Sequence, residues 1–118
     1  MAGVRARYER SQSLYEGLFD EMGRIAGDGA QALIQGNYER LGELMNVCHG
    51  LLNAIGVSHP ELEKMVSIAR QSGALGAKLT GAGGGGSIVA LCPGKVREVS
   101  SALRGAGYAV IPMQVGKD

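Results

Sequence analysis

Lys78-Leu-Thr-Gly-Ala-Gly-Gly-Gly-Gly-Ser-Ile-Val-Ala-Leu-Cys92 is the stretch on which the fold turns. Ala77-Lys-Leu-Thr80, at its N-terminal end, alternates apolar with polar side chains, the period of a half-buried strand. Ser87-Ile-Val-Ala-Leu-Cys92, at its other end, is a short apolar run of strand length. Between them stand five glycines from Gly81 to Gly86. Consecutive glycines admit positive φ and put no side chain in the way, so several backbone N–H groups can turn toward one anion. Gly81-x-Gly83-x-x-Gly86 also fits the dinucleotide-binding string, but that string has to open a helix and here a strand follows. No G-x-x-x-x-G-K-[ST] phosphate loop occurs. The stretch therefore predicts two strands joined through glycines, either as an anion cradle or as a glycine-rich hairpin without a ligand.

Toward the C-terminus, Pro93-Gly94 leads into a helix through Val96, Val99 and Leu103, closed by Gly105 and Gly107. Tyr108-Ala-Val-Ile-Pro-Met-Gln-Val115 then predicts a last strand, with Pro112 at an edge or bulge because it has no N–H for a ladder. Toward the N-terminus the period becomes helical. Ser58-His-Pro-Glu61 has capping-box spacing ahead of Leu62, Met65, Val66 and Ala69, with Pro60 in the first turn and Gly73 to Gly76 as the stop. Before it, Leu41, Leu44, Met45, Cys48, Leu51, Leu52 and Ile55 form an apolar stripe that predicts a helix packing on one side only. Gly36-Asn37 separates this helix from an earlier one. There Tyr15, Leu18, Met22, Ile25, Leu33 and Ile34 recur at helical steps after a capping box at Ser13-Leu-Tyr-Glu16, weakened at Gly27 to Gly29.

A helical block followed by strand, strand, helix and strand predicts an α+β domain, its helices packed on a small antiparallel sheet in a ferredoxin-like arrangement. Only three strands are counted where a ferredoxin-like sheet has four. The shortfall predicts an uncovered sheet edge and self-association.

Composition limits the function classes. The 118 residues have the length of a single domain, 1–118, with 45% apolar and 19% charged residues and a net charge of +1. No basic excess points to nucleic acid; Arg5, Arg7 and Arg10 are interspersed with Glu9 and followed by Glu16, Asp20 and Glu21, which reads as a solvated helix face. The longest apolar run is too short to cross a membrane and no basic-then-apolar leader opens the chain, so a cytoplasmic protein is expected. Cys48 and Cys92 form no C-x-x-C pair, His49 and His59 lack metal-ligand spacing, and both cysteines read as small buried apolar residues. No metal site is expected.

The string from Lys78 to Gly86 resembles the third motif of the GHMP kinases, K-[LI]-T-G-A-G-G-G-G. The similarity continues through Leu41-Gly-Glu-Leu-Met-Asn46, His49-x-Leu-Leu52, Gly56-Val-Ser58 and Ala74-Leu-Gly-Ala-Lys78, with Arg5 to Arg10 matching the helix that precedes them. Its wording is that of the branch that phosphorylates the hydroxyl of mevalonate. Cys48 departs from the asparagine common there, and Ser87 from the cysteine. The resemblance implies the C-terminal domain of an ATP-dependent small-molecule kinase, with its glycine loop in the cleft between two domains. It assigns Thr80, Gly81, Ala82, Gly83 and Gly84 to the wall of the phosphoryl-transfer site, with His49 and Lys78 as substrate-side candidates.

The complete enzyme is expected to use ATP and Mg2+, with neither bound by this chain alone. The family's P-x-x-x-G-L-G-S-S-A loop and its lysine-bearing first motif do not occur in the sequence, and none of Asp20, Asp28 or Asp118 stands in a catalytic context. No catalytic residue is therefore assigned within the chain. Its expected partners are an N-terminal kinase domain and a small-molecule substrate; the family strand that normally precedes the segment at Val4 would be the fourth strand. Related kinases for phosphomevalonate, a sugar or homoserine are the nearest alternatives. From another class, the alternative is a stand-alone ferredoxin-like module binding a small anion or metabolite.

Overall fold

The computed structural model describes residues 2–80 and 86–114, with side chains from residue 5 onward. Gly81 to Gly85 and Val115 to Asp118 lie outside the described residues. The elements run α1 (Ala2–Arg10), α2 (Gln12–Ile34), α3 (Tyr38–Ala54), α4 (Pro60–Gln71), β1 (Gly76–Thr80), β2 (Ser87–Leu91) and α5 (Val96–Gly105). β1 and β2 pair antiparallel, Ala77 opposite Ala90 and Thr80 opposite Ser87, so the glycine stretch joins two paired strand ends.

The alternation along β1 sets its packing. Ala77 and Leu79 are buried, while Lys78 and Thr80 take the opposite face. Against the inner face lie Val66 and Ala69 of α4 and Val99 and Leu103 of α5, forming one cluster with Ala77 that Ile88 and Ala90 of β2 complete. Burying side chains such as Val66 and Leu103 contributes about 1.5–3 kcal/mol each. Cys92 packs partly buried against this cluster; Cys48 is likewise half-buried, so both cysteines are less enclosed than expected.

The second helical layer is α2 with α3. The buried stripe of α2 runs Tyr15, Leu18, Met22, Ile25, Gly29, Ala32, alternating steps of three and four, and the helix continues through Gly27 and Gly29. Leu33 and Ile34 fall outside that stripe, Ile34 being 79% exposed, because the small Ala32 rather than the larger side chains carries the phase. Gly29 belongs to the contact: a Cβ there would stand 3.6 Å from Leu41 Cδ1. Asn37 caps α3 as its position suggests, accepting from Arg40 N–H.

Neither capping box forms. α2 begins at Gln12, straight out of α1 with only Ser11 between them, so Ser13 lies already inside the helix and Glu16 accepts instead from the Tyr8 hydroxyl at 2.8 Å. Pro60 fixes the first turn of α4 and makes His59 the cap, so Ser58 stands one position too early and gives its hydroxyl to Glu63. Arg7 also departs from the solvated-face reading. It is half-buried and donates to the Ile55 carbonyl at 2.7 Å, tying α1 to the end of α3.

α3 packs on two sides, not one. Beyond its contact with α2 it lies along β1, with Gly42 facing the strand; a Cβ at Gly42 would come within 2.5 Å of the Leu75 carbonyl oxygen. The sheet is also smaller than expected. Among the described residues it has two strands, and 108–114 forms no ladder: Tyr108 and Val110 are half-buried, and 111–114 are exposed throughout. Tyr108 and Val110 turn toward the core while Ile111 is 83% and Met113 77% exposed. A groove of about 910 Å³ separates this segment from β2, lined by Ile88, Ala90, Val99, Tyr108 and Val110 among others, so no neighbouring strand is in reach.

Gly42→Ala is expected to destabilise the domain by about 1–3 kcal/mol, because its methyl must displace backbone. Gly23→Ala, on the same kind of helical backbone but with open space around it, is expected to stabilise by about 0.5–1 kcal/mol. Urea unfolding of the two variants checks the pair, and equal shifts would contradict the close helix–strand contact.

Candidate functional site

The outer face of β1 and the strand ends beside the glycine stretch carry the residues singled out in the sequence. Thr80 is exposed, and its hydroxyl lies 3.0 Å from that of Ser87 across the hairpin. The two hydroxyls thus flank the positions where residues 81–85 leave and rejoin the sheet. Lys78 is half-buried, on the same face as Thr80 and opposite Val89. Gly86 re-enters with φ +70°, a conformation that favours glycine, and a Cβ there would approach the exposed His59 ring to 3.0 Å at Nε2. Gly81, Ala82, Gly83 and Gly84 lie outside the described residues.

The base of this site is held by two side chains, Asn46 and His49, that sequence reading did not place against β1. β1 uses one edge for β2; on the other, α3 stands in for a strand. Asn46 donates to the Leu75 carbonyl at 3.3 Å and accepts from Ala77 N–H at 3.0 Å, satisfying both groups with one amide. One turn on, His49 Nδ1 accepts from Leu79 N–H at 3.1 Å. Gly42, Asn46 and His49 are spaced four and three apart, which places them on one face. That spacing was the available signal, but the apolar stripe beside it predicted a helix packing on one side only.

His49 is 3% exposed and does not open to the outer face. Its Nε2 stands 2.6 Å from Glu63 Oε2, and the same carboxylate accepts the Ser58 hydroxyl. Partial burial works against the charged form of Glu63. Hydrogen bonds from Ser58 and His49, with the positive charge of His49 when protonated and that of Arg70, outweigh it and hold the carboxyl below its ordinary range. Neither Glu63 nor Ser58 was expected to matter in this way. Among the described residues no cluster of His, Cys, Asp or Glu could hold a metal ion, and no helix is long and apolar enough to cross a membrane.

Glu63 binds its proton more weakly folded than unfolded, so the stability it adds is complete at neutral pH and is lost as pH falls through the folded state's carboxyl titration. Glu63→Gln should therefore flatten part of the acid limb in urea midpoints between about pH 7 and about pH 3. With the side chain 42% exposed, the difference should stay below about 1 kcal/mol. An unchanged acid limb would show that the carboxylate is not held by its neighbours.

Residues 30–109 match the family described as GHMP kinases C terminal. Mevalonate kinase of Pyrococcus abyssi is 44% identical over 123 residues, covering 100% of this chain and 37% of that protein. Mevalonate kinase of Pyrococcus horikoshii is 48% identical over 119 residues, covering 96% of this chain and 35% of its own length. The crystal structure of L. major mevalonate kinase in complex with R-mevalonate matches with a TM-score of 0.81 at 36% identity, over 88% of this chain and 32% of that one. The chain spans about a third of the length of the relatives it matches. With β1, the glycine stretch, β2 and the helices that pack on them all inside the matched region, the chain belongs to the GHMP kinase family as its C-terminal domain.

Proposed function

We propose that this domain forms the acceptor side of an ATP-dependent kinase that phosphorylates the hydroxyl of mevalonate, with Mg2+ as the accompanying ion. The observation that carries the reading is the glycine-joined hairpin, anchored from behind by α3 and carrying two hydroxyls at its open end. The names of the relatives, at 35–48% identity, supply the substrate. They also disfavour a stand-alone anion-binding module.

Phosphoryl transfer is promoted mainly by positioning and by stabilising charge on the transferred group. Backbone N–H groups of Gly81, Ala82, Gly83 and Gly84 would supply fixed dipoles at no reorganisation cost, and the Thr80 hydroxyl would add a donor. Lys78, on the same face of β1 as Thr80, would place a positive charge on the substrate side. The nucleotide loop, the metal ligands and the base for the acceptor hydroxyl are assigned to an N-terminal kinase domain. The reading goes with a cytoplasmic protein.

The groove between β2 and 108–113 supports a partner polypeptide. One wall is the edge of β2 that β1 does not use, and the other is a segment without a ladder that lines the groove with Tyr108 and Val110. An inserted strand could pair with both and bury the apolar residues between them. The polypeptide that makes up the rest of the longer relatives would supply it; a second copy would occupy it when that polypeptide is withheld.

Residues 1–118 incubated with ATP, magnesium and mevalonate are expected to give no turnover, and turnover should appear when the N-terminal two-thirds of a relative is added in trans. Gly83→Val in the active mixture should lower turnover by about a hundredfold or more, the scale of losing one preorganised donor. Turnover by the chain alone, unaffected by Gly83→Val, would overturn the assignment. In sedimentation equilibrium the isolated domain should associate at high concentration and become a one-to-one complex on mixing; a strict monomer throughout would mean that the groove needs no strand.

A further inference from the structure

His49 is almost sealed, yet both of its ring nitrogens are engaged. Nδ1 accepts the Leu79 N–H, and a nitrogen that accepts carries no proton. The single proton of the neutral ring must then sit on Nε2, where it is donated to Glu63. Ser58 donates to the same carboxylate, and Arg70 favours its charged form, so Glu63 is kept as an acceptor. The ring is thereby fixed in tautomer and in orientation.

Leu79 stands one residue before Thr80 and two before Gly81. Asn46 holds the Leu75 carbonyl and the Ala77 N–H through its side-chain amide, and His49 holds the Leu79 N–H through Nδ1. It is the last side-chain anchor from α3 before the glycine stretch begins. A ring with its proton on Nδ1 instead would set another donor against the Leu79 N–H, and the amide would lose its acceptor.

We propose that His49 is the positioning residue for the end of β1 that leads into the glycine stretch, holding it through the Leu79 amide in its Nε2–H form. The ionisable groups at the ring are Glu63 from α4 and, behind it, Arg70 of the same helix; β1 presents only the backbone of Leu79. Glu63 accepts at Nε2 and so keeps the ring proton there, leaving Nδ1 bare for Leu79. The consequence for phosphoryl transfer rests on the kinase reading above, but the anchoring itself can be read on this chain without turnover.

Amide hydrogen exchange and imidazole nitrogen spectra of the chain test it. At about pH 7.5 the ring should show a protonated Nε2 and a bare Nδ1. His49→Gln, which reaches the place of Nε2 and not that of Nδ1, should lower the Leu79 protection factor about tenfold while that of Ala77 stays level. His49→Asn, whose amide oxygen can occupy the place of Nδ1, should keep Leu79 protected. A ring carrying its proton on Nδ1 would overturn the proposal even if neither variant folds, and so would a Leu79 protection factor that His49→Gln leaves unchanged. Absent turnover in the mixing assay would count against the kinase reading and leave these results to decide the role of His49.

Discussion

Helix α3 rests on β1 backbone against backbone, and the rest of the domain is arranged around that contact. It exists because Gly42 offers no Cβ where the Leu75 carbonyl passes, and Gly76 none where the Gly42 backbone passes. At that separation a helical side chain can reach strand backbone directly. Asn46 and His49 do so, meeting the N–H groups of Ala77 and Leu79 that would otherwise be left on an unpaired edge. A larger residue at either glycine would push the helix away and leave those donors without acceptors, a cost of about 1–3 kcal/mol for each buried group.

The two edges of the hairpin are thus treated in opposite ways. α3 closes the outer edge of β1 with side chains, one of the ways in which proteins keep an exposed strand from recruiting another chain. The outer edge of β2 borders the groove, whose other side is lined by 108–113. Tyr108 and Val110 already point inward, and the Tyr108 hydroxyl donates to Glu61 of α4 at 3.0 Å. Arg104 Nη2 donates to the Val110 carbonyl at 3.1 Å. The segment is therefore tied to α4 and α5 rather than to a ladder. Rigidity behind the glycine stretch and an open side beyond β2 are what a domain completed by another polypeptide would need.

The polar network around His49 shows how a functional-looking residue can act from the interior. Its match to a family position suggested contact with substrate, whereas its burial and its two bonds give it a supporting place behind the sheet. Ser58 looks like part of a helix cap in sequence and is instead, with Glu63, the far end of this network. A short polar residue near a helix start can serve the backbone or a neighbouring side chain; Pro60 decided between them by setting where α4 begins.

Local pattern determined a good deal. Alternation along Ala77–Thr80, the apolar run from Ser87 and the glycines between them fixed the hairpin, because strand period and positive-φ tolerance are properties of neighbouring residues. The helix-by-helix layout followed from three- and four-residue steps, and the wording of Lys78–Gly86 carried the family. Which strand edges are covered, whether 108–114 is paired, and where α2 places Ala32 in preference to Leu33 were decided only by the tertiary structure. Each depends on an element distant in the chain. Gly42, Asn46 and His49 mark the boundary between the two kinds of knowledge: their spacing puts them on one helical face, but only β1, some thirty residues on, turns that face from solvent-like to buried.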